Sequence, residues 1–113
     1  GRQAERVETG GGIYYSDCCE GVFNRHSEVF RTALIGWRNE GLVHPAIVVE
    51  PIVGSFPKTE AERERLIEAL KKLGAESGTT RSIEFFFFEK AFPVDVRHNA
   101  KIHRLTLAKR FSN

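Results

Sequence analysis

Four consecutive phenylalanines, Phe85 to Phe88, constrain the fold of this 113-residue chain more than any other feature. Side chains along a β-strand point alternately to the two faces of a sheet, so a run without polar residues needs cover on both faces. Ile83 adds another apolar residue just before the run, with Glu84 between them. The run therefore predicts a strand at the centre of a sheet that is packed by helices.

Three further patterns complete the predicted architecture. Alternating or β-branched apolar residues predict strands over 30–36 and 44–50. Thr59 and Glu62 form a capping-box pair that opens an amphipathic helix. Three glycines, Gly10 to Gly12, separate two short β-prone runs, as in a hairpin. We therefore expect an α/β (α+β) fold in which a small three-stranded central sheet is packed by helices, with an N-terminal β-hairpin.

Bulk composition fits one globular domain over residues 1–113. Hydrophobic residues make up 41% and charged residues 28%, and the net charge of +2 gives no reason to expect nucleic acid. No apolar run approaches the roughly 20 residues of a membrane span, and no signal peptide opens the chain. Adjacent Cys18 and Cys19 suit a reducing cytoplasm. The start at Gly1 and the lack of methionine suggest a fragment of a longer polypeptide.

A stretch crowded with cationic side chains, Phe92 to Arg104, follows the phenylalanine run and contains one lysine, Lys101. A lysine carries a mobile ammonium on a long stem, which suits an anion that is formed and lost during a reaction. Most surface lysines, however, do nothing specific. The residues alone leave both a solvated loop and an anion-binding loop open.

The string from Asn99 to Arg104 (N-A-K-I-H-R) resembles the terminal motif of the adenylate-forming enzymes, N/S-G-K-[IVL]-x-R. The longer string from Phe92 to Ile102 resembles one branch, the long-chain synthetase-like enzymes of bacterial olefin biosynthesis, which make β-lactones. Glu20 also matches the second Glu of the family's A-E-V-E signature. By this resemblance the chain is the C-terminal lid domain of an AMP-forming ligase whose N-terminal domain, which binds ATP and substrate, is absent.

The resemblance also implies roles for particular residues. Lys101 falls on the catalytic lysine, Arg2 on the arginine that meets the nucleotide, Gln3 and Ala4 on the hinge, and Gly10, Gly11 and Gly12 on a glycine loop near the active site. ATP and Mg²⁺ would be bound mainly by the N-terminal domain, and no metal ligands are expected here. Ala4 and Ala100 depart from the family's usual residues, an Asp or Lys and a Gly respectively.

Three functions remain open. The olefin-pathway branch implies a β-lactone synthetase acting on long-chain 3-hydroxy acids. The second is a conventional long-chain acyl-CoA synthetase, which also needs CoA. The third, from another class, is a free-standing α/β binding module that uses a basic cluster for an acidic partner: Arg97, His98, Lys101, His103, Arg104, Lys109 and Arg110. In the first two readings the isolated 113-residue fragment is expected to be inactive.

Overall fold

The computed structural model describes residues 6–92, 94–95, 101–102 and 104–111. These residues contain seven strands and three helices. They are β1 (Arg6–Thr9), β2 (Gly12–Tyr15), α1 (Ser16–Phe23), β3 (Val29–Asn39), β4 (Leu42–Pro51), α2 (Glu60–Ala75), β5 (Phe85–Phe88), β6 (Val94–Asp95), β7 (Lys101–Ile102) and α3 (Arg104–Phe111). The expected α/β class, with its three-stranded sheet and N-terminal hairpin, is confirmed.

The three-stranded sheet has the order β3-β4-β5, so β4 is its central strand. β4 pairs antiparallel with β3 and parallel with β5. Ala46 to Val49 of β4 are completely buried. The phenylalanine strand was expected at the centre, and that expectation is wrong. β5 lies at the edge, where Phe86 is buried and the other three phenylalanines are partly exposed, because the long β3–β4 hairpin occupies the other positions.

Side-chain alternation along β3 and β4 divides the hydrophobic core into two layers. Leu34, Ile47 and Val49 face α1 and α2, together with Phe23, Leu66, Leu70 and Phe86. Ala33, Ile35, Ala46 and Val48 face the opposite side, where Leu107 of α3 is fully buried. Helices therefore cover both faces of the sheet, as the apolar character of its strands requires.

Two local patterns that the sequence predicts are present. Gly10 and Gly11 form the turn between β1 and β2, and Thr9 Oγ1 accepts a hydrogen bond from the Gly11 N–H at 3.1 Å. Thr59 Oγ1 accepts from the Glu62 N–H at 3.1 Å and so caps α2. The Glu62 carboxylate accepts from the N–H of Lys58 at 2.9 Å, one residue earlier than in the ideal capping box.

The contact between α1 and α2 is close because α2 has a glycine where the helices meet. A Cβ added at Gly74 would lie 2.9 Å from two ring carbons of Phe23, which is completely buried. The glycine therefore lets the Phe23 ring pack directly on the α2 backbone. This contact fixes α1, the helix that carries Glu20, against the rest of the domain.

Candidate functional site

Lys101 lies in β7, the second strand of a short hairpin that is separate from the three-stranded sheet. β6 and β7 pair antiparallel, with Val94 opposite Ile102 and Asp95 opposite Lys101. Each strand has two residues. Residues 96–100, which include Ala100 of the motif, lie outside the described residues. The position of the Lys101 backbone thus depends on what holds the two ends of this hairpin.

The leading end of the hairpin is held by a carboxylate from the central strand. Glu50 Oε1 accepts a hydrogen bond from the Phe92 N–H at 3.0 Å and another from Arg31 Nε at 2.7 Å. The ring of Phe92 lies 5.4 Å from the Arg31 guanidinium carbon, and the ring of Phe30 lies 5.1 Å from it. Phe92 and Glu50 are both buried. Glu50 and Arg31 therefore hold Phe92 in place, two residues before β6 begins.

The trailing end is held by a second buried carboxylate, which comes from α1. Both oxygens of Glu20 accept from Arg104, from Nε at 2.8 Å and from Nη2 at 2.7 Å. Glu20 Oε2 also accepts from the Leu34 backbone N–H at 2.7 Å. Only 9% of the Glu20 side chain and 18% of the Arg104 side chain are exposed. One carboxylate therefore joins α1, the outer edge of β3 and the first residue of α3.

A cleft of about 260 Å³ opens beside the Glu20–Arg104 ion pair. Residues of β1, β3 and α3 line it, among them Val7, Gly36, Arg104 and Ala108. The glycine turn lies at the opposite end of the β1–β2 hairpin, where Gly11 and Gly12 adjoin Cys18 and Thr79. The structure thus brings the first residues of β1, but not the glycine turn, to the start of α3.

The remaining sequence-predicted site residues divide into two groups. Arg2, Gln3 and Ala4 lie outside the described residues, so their nucleotide-binding and hinge roles stay predictions. Gly10, Gly11 and Gly12 are exposed at the turn. Added Cβ atoms at Gly10 and Gly12 would meet no atom within 4 Å, but Gly12 has a φ of +145°, which disfavours any side chain. Its backbone conformation therefore suffices to explain Gly12.

The basic cluster of the binding-module hypothesis is partly neutralised. Arg104 pairs with Glu20, and Arg110 of α3 pairs with Glu89. Lys109 is exposed. The other members of the cluster, Arg97, His98, His103 and the Lys101 side chain, lie outside what the structure describes. Two of the three cluster members with described side chains thus have intramolecular partners, which weakens the case for an acidic partner at this surface.

The two cysteines differ sharply in environment. Cys18 is exposed and Cys19 is buried, with its thiol directed at the Thr79 carbonyl oxygen at 3.8 Å. Burial, with smaller contributions from Cys18 and Glu20, raises the pKa of the Cys19 thiol from 9.0 to about 11. Such a thiol is protonated at neutral pH and is a poor nucleophile. Cys19 is therefore a packing residue.

The described part of the chain has neither a metal-binding cluster nor a helix that could span a membrane. No group of three or more His, Cys, Asp or Glu side chains there could hold a metal ion. None of the described helices combines the length and apolar character that crossing a bilayer requires.

Three groups at this site were not predicted from the sequence: Arg31, Glu50 and the Leu34 N–H. Arg31 and Glu50 are opposite one another in the β3–β4 register. The only sequence signal for them is a charge at the end of an otherwise apolar strand, Ile47 to Glu50. The Leu34 N–H is available to Glu20 because, among the strands that the structure describes, β3 pairs with β4 alone.

Comparison with known proteins agrees with the terminal motif. No family model matches the chain. It is 43% identical over 108 residues to the olefin β-lactone synthetase of Xanthomonas campestris pv. campestris and 40% identical to that of Stenotrophomonas maltophilia. Each alignment covers 96% of this chain, which spans about a fifth (19%) of the length of these relatives.

Solved structures of adenylate-forming ligases share the fold. An amide bond synthetase from Marinactinospora thermotolerans superposes with a TM-score of 0.73 at 18% identity, over 100% of this chain and 21% of that one. A Mycobacterium tuberculosis fatty acyl CoA synthetase gives 0.68 at 20% identity, over 95% and 20%. An anthranilate CoA ligase gives 0.76 at 21% identity, over 95% and 20%. The chain is thus similar in sequence to two olefin β-lactone synthetases and shares its fold with these ligases and synthetases.

Proposed function

We propose that the chain is the C-terminal lid domain of an AMP-forming fatty acid ligase and that Lys101 supplies its catalytic ammonium. The observation that carries the proposal is the 43% identity to an olefin β-lactone synthetase over 96% of the chain. The N-terminal domain, the lid's partner, binds ATP, Mg²⁺ and the acyl substrate in the cytoplasm. Arg2 contacts the nucleotide, the lid turns at Gln3 and Ala4, and Gly10 to Gly12 approach the active site.

The first reaction is formation of an acyl-adenylate. A carboxylate oxygen of the fatty acid attacks the α-phosphorus of ATP, the bond to the bridging oxygen breaks, and pyrophosphate leaves. Both reactants are anions, so the transition state needs preorganised positive charge where negative charge accumulates. The Lys101 ammonium provides that charge when the lid closes. Closure also excludes water from an intermediate that water would hydrolyse.

The second reaction distinguishes the two ligase hypotheses. In a β-lactone synthetase, the 3-hydroxyl oxygen of a long-chain 3-hydroxy acid attacks the acyl carbonyl carbon, loses its proton, and expels AMP as a four-membered ring closes. In an acyl-CoA synthetase, the CoA thiol attacks the same carbon. The β-lactone reading is favoured because both curated relatives are olefin β-lactone synthetases. The acyl-CoA synthetase remains the alternative hypothesis, because the chain also shares the fold of a fatty acyl CoA synthetase.

The test uses the full-length enzyme with ATP and a long-chain 3-hydroxy acid, with and without CoA. We expect pyrophosphate release and a β-lactone, detected by mass spectrometry, in the absence of CoA. Lys101→Ala should lower pyrophosphate release by roughly 10²–10³-fold or more, because one preorganised donor is lost. Lys101→Arg should also be impaired, since a planar guanidinium does not reproduce the contact of an ammonium.

The outcomes separate the alternatives. Acyl-CoA formed only when CoA is added, with no lactone in its absence, would favour the acyl-CoA synthetase. Turnover by residues 1–113 alone would contradict the assignment as a lid. Near wild-type pyrophosphate release by Lys101→Ala, at an unchanged melting temperature, would remove the lysine from the mechanism and leave it as a solvated surface residue.

A further inference from the structure

We propose that Glu20 and Glu50 are positioning residues for Lys101, and that they fix the two ends of the β6–β7 hairpin on which the lysine lies. The inference rests on the proposed function, since it needs Lys101 to act in adenylation. Neither carboxylate has to touch substrate for this role. Each acts through the backbone that leads to the lysine.

The hairpin is a two-stranded sheet of its own, separate from the three-stranded sheet. Its described strands have two residues each, with Val94 opposite Ile102 and Asp95 opposite Lys101. A two-stranded hairpin without further support is marginally stable at best. An ammonium that must meet a transition state therefore needs external anchors on the chain before and after it.

The trailing anchor is close to the lysine along the chain. Arg104 follows Lys101 by three residues, so their Cα atoms are at most about 11 Å apart. The Glu20 carboxylate that holds Arg104 accepts three hydrogen bonds, one of them from the Leu34 backbone N–H of β3. A bidentate ion pair fixes orientation as well as distance. The start of α3 is thus fixed to both α1 and the sheet.

The leading anchor acts on the backbone itself. Glu50 accepts from the Phe92 N–H, two residues before Val94. Because Arg31 Nε donates to the same oxygen at 2.7 Å, the buried carboxylate keeps a charged partner. The Phe92 ring is buried against the Arg31 guanidinium. Both chain segments that enter and leave the hairpin are therefore tied to buried carboxylates on rigid elements.

Substitution by glutamine perturbs each anchor with almost no change of volume. An amide has one acceptor oxygen and one donor NH₂ group, whereas each carboxylate here serves only donors. Gln at position 20 must direct its NH₂ group at Arg104 or at the Leu34 N–H, because both Glu20 oxygens accept hydrogen bonds. Gln at position 50 can keep its one oxygen on both Arg31 Nε and the Phe92 N–H, but it removes the negative charge that the Arg31 guanidinium faces and so weakens the hydrogen bond to it. A misplacement of about 1 Å in a reacting group can cost roughly 10²-fold in rate. We expect each variant to lose about 10- to 100-fold in adenylation.

The experiment is a double-mutant cycle in the full-length enzyme, with pyrophosphate release as the readout. Glu20→Gln and Glu50→Gln are each made in the wild-type and the Lys101→Ala backgrounds. If the carboxylates act through the lysine, each loss of about 10- to 100-fold should shrink to less than about twofold once Lys101 is absent. The fall should appear in kcat, with the KM for ATP nearly unchanged.

Thr80→Val is the matched control for stability. Thr80 is buried and its hydroxyl donates to the Gly74 carbonyl at 2.6 Å, near the end of α2, whereas the hydrogen bonds of the two anchors go to Glu20 and Glu50. Loss of the Thr80 hydroxyl should lower the melting temperature and leave kcat within about twofold of wild type. Glu50→Gln and Glu20→Gln test the two anchors separately, so one variant that fails to fold does not remove the other.

The possible results decide between the inference and its premise. Equal losses in both backgrounds, or no loss in the wild-type background, would overturn the positioning role while Lys101 stays catalytic. If Thr80→Val lost as much kcat as the glutamine variants, the losses would be due to general instability. That result would also overturn the positioning role. Near wild-type release by Lys101→Ala alone would overturn the proposed function and, with it, this inference.

Discussion

Removal of Arg104 should destabilise the domain far more than removal of another arginine on the same helix. Arg104→Met keeps much of the apolar stem but leaves Glu20 with the Leu34 N–H and without the guanidinium. Breaking a buried ion pair by deleting one partner costs about 3–5 kcal/mol, because the other charge stays buried. The exposed 18% of the Arg104 side chain lets water reach the carboxylate. We therefore expect about 2–4 kcal/mol.

Arg110→Met is the matched control for this prediction. Arg110 pairs with Glu89, but 47% of its side chain is exposed. Exposed ion pairs contribute about 0–1 kcal/mol. Unfolding entropy of roughly 2.1 cal/mol/K per residue converts 2–4 kcal/mol into a fall of about 8–17 °C in melting temperature for a domain of this size. Arg110→Met should fall by less than about 4 °C.

Thermal melting of the 113-residue chain, followed by circular dichroism, measures both variants, and urea unfolding gives the free energy directly. Far-ultraviolet spectra at low temperature should match wild type. Equal shifts for the two variants would refute the argument, since burial of the carboxylate would then have no energetic consequence. A shift below about 4 °C for Arg104→Met would place the Glu20–Arg104 pair in the same class as exposed pairs.

Two further predictions concern packing and titration. Gly74→Ala should lower the melting temperature because its Cβ would meet the buried Phe23 ring at 2.9 Å, at a cost of about 1–3 kcal/mol against a helix-propensity gain of at most about 1 kcal/mol. Gly21→Ala, exposed on α1 with no atom within 4 Å, should raise it. A thiol reagent at pH 8 should modify Cys18 in the folded chain and Cys19 only in denaturant. Because burial raises the folded pKa of Cys19 from 9.0 to about 11, its contribution to stability is complete below pH 9 and is lost as pH rises through 11. Cys19→Ala should therefore weaken the fall in unfolding free energy over that pH range.

Local patterns predicted the elements of the fold better than their arrangement. The Thr59 cap and the glycine turn depend on neighbouring residues, and both are present. The Phe85–Phe88 strand was placed at the centre because four phenylalanines suggest full burial. Sheet position, however, is decided by strand pairing, and the β3–β4 hairpin put β4 in the middle. Edge strands can still carry large apolar side chains when helices cover both faces.

The candidate site shows the same division. Lys101 was predicted as a site residue from a contiguous motif, and that role stays a prediction, whereas the proposed anchors come from residues distant in sequence. Glu50 contacts Phe92, 42 residues later, and Glu20 contacts Arg104, 84 residues later. A charge on an apolar strand such as β4 signals a buried partner but does not identify it.

The position of Glu20 gives its sequence match a physical meaning. Glu20 matches one family signature near the start of the chain, and Arg104 is the last residue of another near its end. In the folded chain the Glu20 carboxylate of the first signature forms an ion pair with Arg104 of the second. The same carboxylate also accepts a hydrogen bond from the Leu34 N–H. Under the proposed role of Lys101, Glu20 acts without contacting substrate, because the arginine it holds lies three residues from that lysine. The two matches are therefore parts of one structural unit.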